Sequence, residues 1–379
     1  MGCAASMVIE HLLKWIRTAR VSERAAAASA LARVFSESEL SFEDRCAAEA
    51  ALTLLLDDPS SRVRASIAEA LSMSRHAPLQ IVSALACDQP DVAGMILARS
   101  PLMDDSDLIA RVADGVPEIQ RLIAGRPCVS QPLAAAIAEL SDVPACCALL
   151  RNTGARIAAI SFRRMIERHG ENGELRDALL ARKELPADCR HMIVVRVGEA
   201  LRTSPLMLRA VGPARAQRIT RDACVRASLS LVDSTRSDEH AALVEHLRLA
   251  GELTTAFVVR IVSHGKIDFF GAALISLSGQ KEERVRALLA NGRDVAVSAL
   301  LRAGGLPDSV HRILLTALKV WREVANGKRL AGAQEVTWLM IKELGGQSAE
   351  GDLANLLKSI HIEALRENAR SHAMAIAAA

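Results

Sequence analysis

The stretch from Asp88 to Pro144 decides the fold. It carries Asp-Gln-Pro-Asp-Val at 88–92, Asp-Gly-Val-Pro-Glu-Ile at 114–119 and Asp-Val-Pro-Ala-Cys at 142–146. Pro90, Pro117 and Pro144 therefore stand 27 residues apart, twice running. Two short apolar-periodic segments lie between each pair of prolines. A fixed interval of this kind marks a repeat array, in which one helix pair stacks on the next. The spacing predicts core stripes at Leu108, Ile109, Val112 and Val116, at Ile119, Leu122 and Ile123, and at Leu133, Ile137 and Leu140. Each predicted helix is about ten residues, too short to stand alone in water, so its neighbours must hold it.

Working outward, Ser41-Phe-Glu-Asp44 is a capping box that opens a helix to about Leu56. Asp57-Asp58-Pro59 stops that helix, and the next places Val63, Ile67, Ala70 and Leu71 on one face. An Asp-Pro turn followed by Val63-Arg64 is a familiar opening of HEAT-like repeats. Pro78, Pro101 and Pro127 mark further connections. Upstream, 7–20 and 22–35 read as two helices that cap the array. The first is basic and amphipathic, with Val8, Leu12, Trp15 and Ile16 against Lys14, Arg17 and Arg20. A helix of that kind could lie on a membrane, but a terminal cap is the simpler reading.

Downstream, helices at 155–168 and 172–182 lead into a long helical tract to about 233, broken by Pro186, Pro205 and Gly212-Pro213. The rhythm then returns, with Gly265-Lys266 and Asp268 echoed by Gly292-Arg293-Asp294. Longer helices follow at about 307–324, 332–344 and 351–374. No strand signal appears. The expected fold is all-α, an α-α superhelix of short HEAT/armadillo-like helix pairs. Its parts are capping helices at 1–56, a repeat array at 57–182, a basic connector of long helices at 183–235, and C-terminal repeats with their cap at 236–379.

Composition agrees with this. Half the residues are apolar and 24% are charged; there is no Tyr, and only three Trp and six Phe. Ala and Leu dominate, and both favour helices. Few aromatics mean few large interface anchors and few platforms for stacking bases. The eight cysteines are scattered without a C-x-x-C pair, and read as reduced, mostly buried small hydrophobes in a cytoplasmic protein. No uncharged apolar run reaches the roughly 18 residues of a membrane span, and the start lacks a secretory pattern.

Several separated motifs carry a resemblance. They are Leu-Ala-Cys-Asp-Gln-Pro-Asp-Val-Ala (85–93), Ser-Pro-Leu-Met-Asp-Asp-Ser-Asp-Leu-Ile (100–109), Ile-Ala-Gly-Arg-Pro (123–127), Leu-Leu-Arg-Asn-Thr-Gly-Ala (149–155) and Gly-Lys-Ile-Asp-Phe-Phe-Gly-Ala-Ala-Leu (265–274). Together they resemble the alphaproteobacterial family catalogued as domain of unknown function 2336 (DUF2336). The resemblance spans about 57 to 325 and implies a HEAT-like helical fold in a bacterial cytoplasm. It brings no activity and no functional residues. It also bears on Gly2, Cys3 and Ser6, which fit a myristoylation pattern: bacteria lack the modifying enzyme, so chance is the simpler explanation.

Two features could carry chemistry. Asp88, Asp114 and Asp142 recur with the repeat, as do Arg99, Arg126 and, close to register, Arg151. They could form a ligand-binding ladder, or a structural one in which Asp caps helices and Arg binds carbonyls of the neighbouring repeat. The second feature is a basic belt. Between Arg182 and Arg226 ten basic residues face four acidic ones, in a chain whose net charge is only +3. Arg209, Arg215, Arg218, Arg221 and Arg226 are its candidate contacts with an anionic partner; a solvated helical face is the bland alternative. The belt holds no aromatic residue, so nucleic acid would be held by phosphate contacts alone, weakly and in a salt-sensitive way.

His240 and His246 fall on different sides of a helix. No H-E-x-x-H, G-x-S-x-G or P-loop occurs, and Asn326-Gly327-Lys328 lacks the rest of such a loop. No catalytic residue, cofactor or metal is expected, and a small-molecule substrate is not suggested. The expected role is a protein-binding scaffold or adaptor with an unidentified protein partner. A nucleic-acid-binding solenoid is the alternative, and a helical enzyme whose residues meet only in space is a third reading without a visible constellation.

Overall fold

The computed structural model describes residues 14–15, 18–345 and 351–377. The Met-Gly-Cys start, most of the 7–20 segment and Gly346 lie outside the described residues. Among the described residues, twenty-two α-helices and one short 3-10 helix, Ser237–Glu239, make up the secondary structure, with no strand. The one pairing of sheet type is an isolated bridge between Val129 and Ala155. The all-α expectation holds. The chain forms two compact units, Met1–Leu185 and Pro186–Ala379.

In the first unit the helices stack in two rows. Val21–Glu37, Ser61–Leu71, Pro90–Arg99, Pro117–Ala124, Val143–Arg151 and Gly173–Leu180 each pack on the next of that series. Asp105–Ala113, Gln131–Leu140 and Ala159–His169 form the other row. Pro90 and Pro117 are the first residues of their helices and Pro144 the second, so the 27-residue interval is the interval between successive rungs of one row. A proline there loses nothing, because the first-turn N–H has no partner within the helix. Ser41, Asp104, Ser130, Asp142 and Asn172 cap the helices that follow them through side-chain oxygens.

The stripes are right at their centres and too wide at their edges. Leu108, Val112, Ile119, Ile123, Leu133 and Ile137 are buried, but Ile109 and Val116 are only half-buried and Leu122 and Leu140 are exposed. Ala70 is likewise half-buried, and Ala68 takes the inner position. An eight- to ten-residue helix presents two turns to its neighbours, and the outermost apolar residue overshoots that contact. Leu122 still packs usefully: Gly94 lies so close that an added Cβ would stand 2.8 Å from its Cδ1.

The Asp and Arg columns do not form a ligand ladder. Asp142 is an N-cap that accepts the Ala145 N–H, Asp114 pairs with Arg111, and Asp88 pairs with Arg64, which reaches it from the previous rung. Asp58 takes the same kind of bond from Arg24, through Nε at 2.7 Å and Nη2 at 3.0 Å. Arg99 is exposed and Arg151 pairs with Glu174 across the surface. Arg126 alone is buried, and it donates to the carbonyls of Leu97 and Ser100 at the end of Pro90–Arg99.

That contact recurs along the stack with different donors. Asn152 Nδ2 donates to the carbonyls of Ala124 (2.9 Å) and Arg126 (2.7 Å), and Asn152 Oδ1 accepts the Gly154 N–H. Arg182 reaches the carbonyls of Asn152 (2.9 Å) and Ala155 (3.1 Å). Arg168 donates to those of Ala138 and Ser141. The ends of Pro90–Arg99, Pro117–Ala124, Gln131–Leu140 and Val143–Arg151, with their orphan carbonyls, are thus each closed by a side chain from later in the chain.

The Asp88 contact makes stability depend on acid. The hydrogen bond from Arg64 holds the Asp88 carboxyl below its ordinary value, against the opposing effect of burial, and the Gln89 N–H and the arginine charge add to it. A depressed folded pKa means the unfolded chain takes up protons first as pH falls. The contribution is therefore present above the unfolded carboxylate value, about 4, and is lost as pH drops through the folded one. Urea unfolding between neutral pH and about pH 3 should show this decline, and Asp88→Asn should flatten it. An unchanged acid limb in Asp88→Asn refutes the assignment.

The cysteines differ from expectation. Of the seven described, Cys146, Cys147 and Cys189 are buried, Cys224 is half-buried, and Cys46, Cys87 and Cys128 are exposed. Cys87 and Cys128 sit at helix-end connections, where apolar periodicity says nothing about burial. Burial pushes the Cys146 thiol up to about 12, which suits a core residue.

The second unit has its own core. Phe269 and Phe270 of Ile267–Ser278 lie in it beside Val258, Ile261 and Val262 of Thr255–Ser263 and Ile313, Leu314, Ala317 and Leu318 of Asp308–Ala325. Arg322 repeats the device of the first unit, donating to the carbonyls of Leu288, Leu289 and Gly292 at the end of Glu282–Asn291.

Candidate functional site

The basic tract of the second unit is built on Ala187–Thr203, Pro205–Val211 and Pro213–Ser234. Pro205 and Pro213 each open a helix, and Gly212 turns between the last two with φ of 77°. Ala187–Thr203 packs along Pro213–Ser234. The approach is close because residue 198 is glycine: a Cβ there would run into the Cys224 sulfur. Ala216, Thr220 and Ser228 are buried on the inner side of the long helix. With that side committed, its opposite side faces water.

Arg215, Arg218, Arg221 and Arg226 are exposed on this helix, and Arg209 is exposed on the short helix before it. None of the five side chains makes an ion pair or a hydrogen bond among the described residues. Asp222 is the one carboxylate of the long helix's first half. Three of the remaining belt residues are engaged elsewhere. Arg182 closes a helix end in the first unit, Arg190 lies 4.0 Å from Glu239, and Arg202 pairs with Glu199. Leu206 is 80% exposed and stands three residues before Arg209, so an apolar side chain and a cation share one helical face.

Beneath the tract lies a polar cluster that no sequence spacing announces. His191 is buried, with Nε2 at 3.0 Å from Ser228 Oγ and 3.2 Å from Glu252 Oε2, while Nδ1 lies 3.3 Å from His246 Nε2. The Ser228 hydroxyl gives its hydrogen to the Cys224 carbonyl at 2.9 Å, so its oxygen accepts from His191. Serine and carboxylate thus share one imidazole nitrogen. A nucleophilic triad needs them on opposite nitrogens, with the hydroxyl donating. The Cys224 thiol is raised by burial and by the charge of Glu252, away from a reactive thiolate. The cluster therefore ties three helices and a loop together and does not assemble a nucleophile with its base. Glu252 is held below its ordinary value by the His191 hydrogen bond, against burial.

A cavity of about 550 Å³ opens beside the cluster, bordered by Arg202, Arg221, Cys224, Ser228, Glu252 and Phe257. Arg221 is the one of the five candidate arginines at its edge. His240 and His246 do point apart, as their spacing requires: His240 meets Phe269 edge-on and His246 meets His191. Among the described residues no group of three His, Cys, Asp or Glu side chains could hold a metal ion, and no helix is long and apolar enough to cross a membrane.

The sequence model of a bacterial family, described as uncharacterised protein conserved in bacteria (DUF2336), matches residues 92–354. No curated protein and no solved structure matches the chain.

Proposed function

We propose that this chain, which belongs to the DUF2336 family of bacterial proteins, is a scaffold or adaptor whose arginine face binds an acidic surface on a partner protein. One observation carries this reading: Arg209, Arg215, Arg218, Arg221 and Arg226 are exposed on packed helices without a carboxylate partner among the described residues. Unpaired like charges on neighbouring turns and helices repel one another, and a complementary surface relieves that repulsion while steering the encounter. Arginine is also enriched at protein interfaces, where its planar donors match carboxylates in pairs. Leu206 beside Arg209 supplies an apolar contact of the sort a protein surface uses. For nucleic acid the same arginines would meet phosphates, but no aromatic residue between 187 and 234 offers stacking.

The test compares the chain with an Arg215→Ala, Arg218→Ala, Arg221→Ala variant. Cross-linking in native bacterial lysate should recover a reproducible acidic protein, and purified partner should bind the variant at least about ten-fold more weakly, at roughly 0.5 kcal/mol or more per charge. Generic duplex DNA and single-stranded RNA should bind negligibly at 150 mM salt, about the physiological level. Tight nucleic-acid binding with a steep salt dependence that the substitutions abolish would move the assignment to the alternative. A partner that ignores all three substitutions removes the arginine face from the account.

A further inference from the structure

Two imidazoles meet in the polar cluster beneath the arginine tract. We infer that His191 and His246 form an acid-released latch, which holds His240–Leu249 against Ala187–Thr203 until the pair takes up a second proton. The inference concerns the interior of the second unit and does not rest on the arginine face.

A count of hydrogens carries it. His191 Nε2 faces two acceptors, Ser228 Oγ at 3.0 Å and Glu252 Oε2 at 3.2 Å, because the Ser228 hydrogen goes to the Cys224 carbonyl. Nε2 therefore carries a hydrogen. His191 Nδ1 and His246 Nε2 lie 3.3 Å apart, and that gap takes one hydrogen. With both rings neutral, His246 Nε2 donates and His191 Nδ1 accepts. One added proton reverses this bond without breaking it. His191 becomes the cation and donates from both nitrogens, while His246 keeps its hydrogen on Nδ1 and accepts through Nε2. A second proton sets two N–H groups head to head on two cations, beside a ring that is 1% exposed.

The surrounding charges suit one cation and not two. Glu252 supplies a single negative charge, and both imidazoles act on it. Arg221 and Arg260 border the same cavity as Glu252 and bring positive charge; Arg260 meets Glu363. On Pro213–Ser234, burial and the Glu252 charge keep the Cys224 thiol protonated and neutral. Glu245 and Arg248, on the helix of His246, pair with each other. On the helix of His191, Arg190 lies beside Glu239, and Asp188 is buried and engaged. Of the other helices packed here, Ile267–Ser278 carries only Asp268 and Pro205–Val211 only Arg209, and both are exposed. His240 is turned to Phe269.

The closed latch thus holds one added proton and the open one holds two. Its stability is complete above about pH 6.5, where separate histidines are neutral, and each unit of acid below that favours opening by a further factor of about ten.

His246→Gln keeps the latch and removes the trigger, since the glutamine amide can either donate to His191 Nδ1 or accept from it. The readout is hydrogen exchange of peptides spanning 240–254 in the full chain, followed by mass spectrometry. Comparing two chains at the same pH cancels the intrinsic exchange rate. Wild type and His246→Gln should match at about pH 7.5, and wild type should exchange about ten-fold faster at about pH 5.5. Peptides within 90–151 of the first unit should not differ. Glu252→Gln removes the charge that supports the first proton, so it should loosen at higher pH than wild type. Equal exchange of wild type and His246→Gln at the acid pH overturns the inference, and assigns any loosening to His240 or to carboxylates. Glu252→Gln decides the matter if His246→Gln is already loose at neutral pH: loosening at the wild-type pH, or none, overturns the latch.

Discussion

Gly154→Ala should destabilise the chain by about 3 kcal/mol, as overpacking against backbone does when no side chain can move aside. A Cβ on residue 154 would drive into the carbonyl oxygen of Pro127. The loop holding that carbonyl is tied on every side. Val129 and Ala155 form a sheet-like bridge, the Arg156 N–H donates to the Val129 carbonyl at 2.9 Å, and Asn152 spans to the carbonyls of Ala124 and Arg126. Relieving the clash means separating 126–129 from 152–156 and losing several of these bonds together. Gly115 is the control. It has φ of 77° with open space around it, so Gly115→Ala costs only the left-handed strain of about 1 kcal/mol. Chemical unfolding followed by helical circular dichroism should rank the two in that order. Equal losses would mean the 126–129 loop yields freely.

Arg126→Ala should cost a similar amount, about 3 kcal/mol, because it leaves two helix-end carbonyls buried without donors. Arg126 is 8% exposed, and burial lowers its pKa from the ordinary arginine value, with the charge of Asp105 offsetting this only in part. What holds the charge is the pair of carbonyls on Leu97 and Ser100, met by separate arms of the guanidinium. Lysine carries the charge but not the fork, so Arg126→Lys should recover less than half of the loss. Recovery to wild-type stability by lysine would show that charge, and not the paired donation, is what matters.

Much of this fold was legible in the residues. Proline at the first turn has a fixed cost and a fixed place, so Pro90, Pro117 and Pro144 reported the helix starts directly. Ser41 and Asp142 did the same for caps. The bland reading of the Asp and Arg columns also holds in kind, since Arg126 binds carbonyls and Asp142 caps. What periodicity could not supply is which donor closes which helix end: the work passes from an arginine at 126 to an asparagine at 152 and back to an arginine at 182. Chemistry is shared there while residue type is not.

The five exposed arginines of the candidate face stood out because local charge is a sum over sequence. Arg182 entered the same sum and proved to belong to helix-end closure, since a count does not know which side of a helix is buried. The His191, Ser228, His246 and Glu252 cluster was invisible for a related reason. Its members come from three helices and a loop, and only packing brings them together.

The closing of these helix ends by later side chains has a directional consequence. Leu97 and Ser100 wait for Arg126, Ala124 waits for Asn152, and Asn152 waits for Arg182. On a ribosome, where the amino terminus emerges first, a rung stays unfinished until about thirty more residues have been made. Nascent chains arrested partway should therefore carry one frayed terminal turn that migrates with the arrest point. Trimming such an array from its carboxyl side should unravel it further than trimming from the amino side.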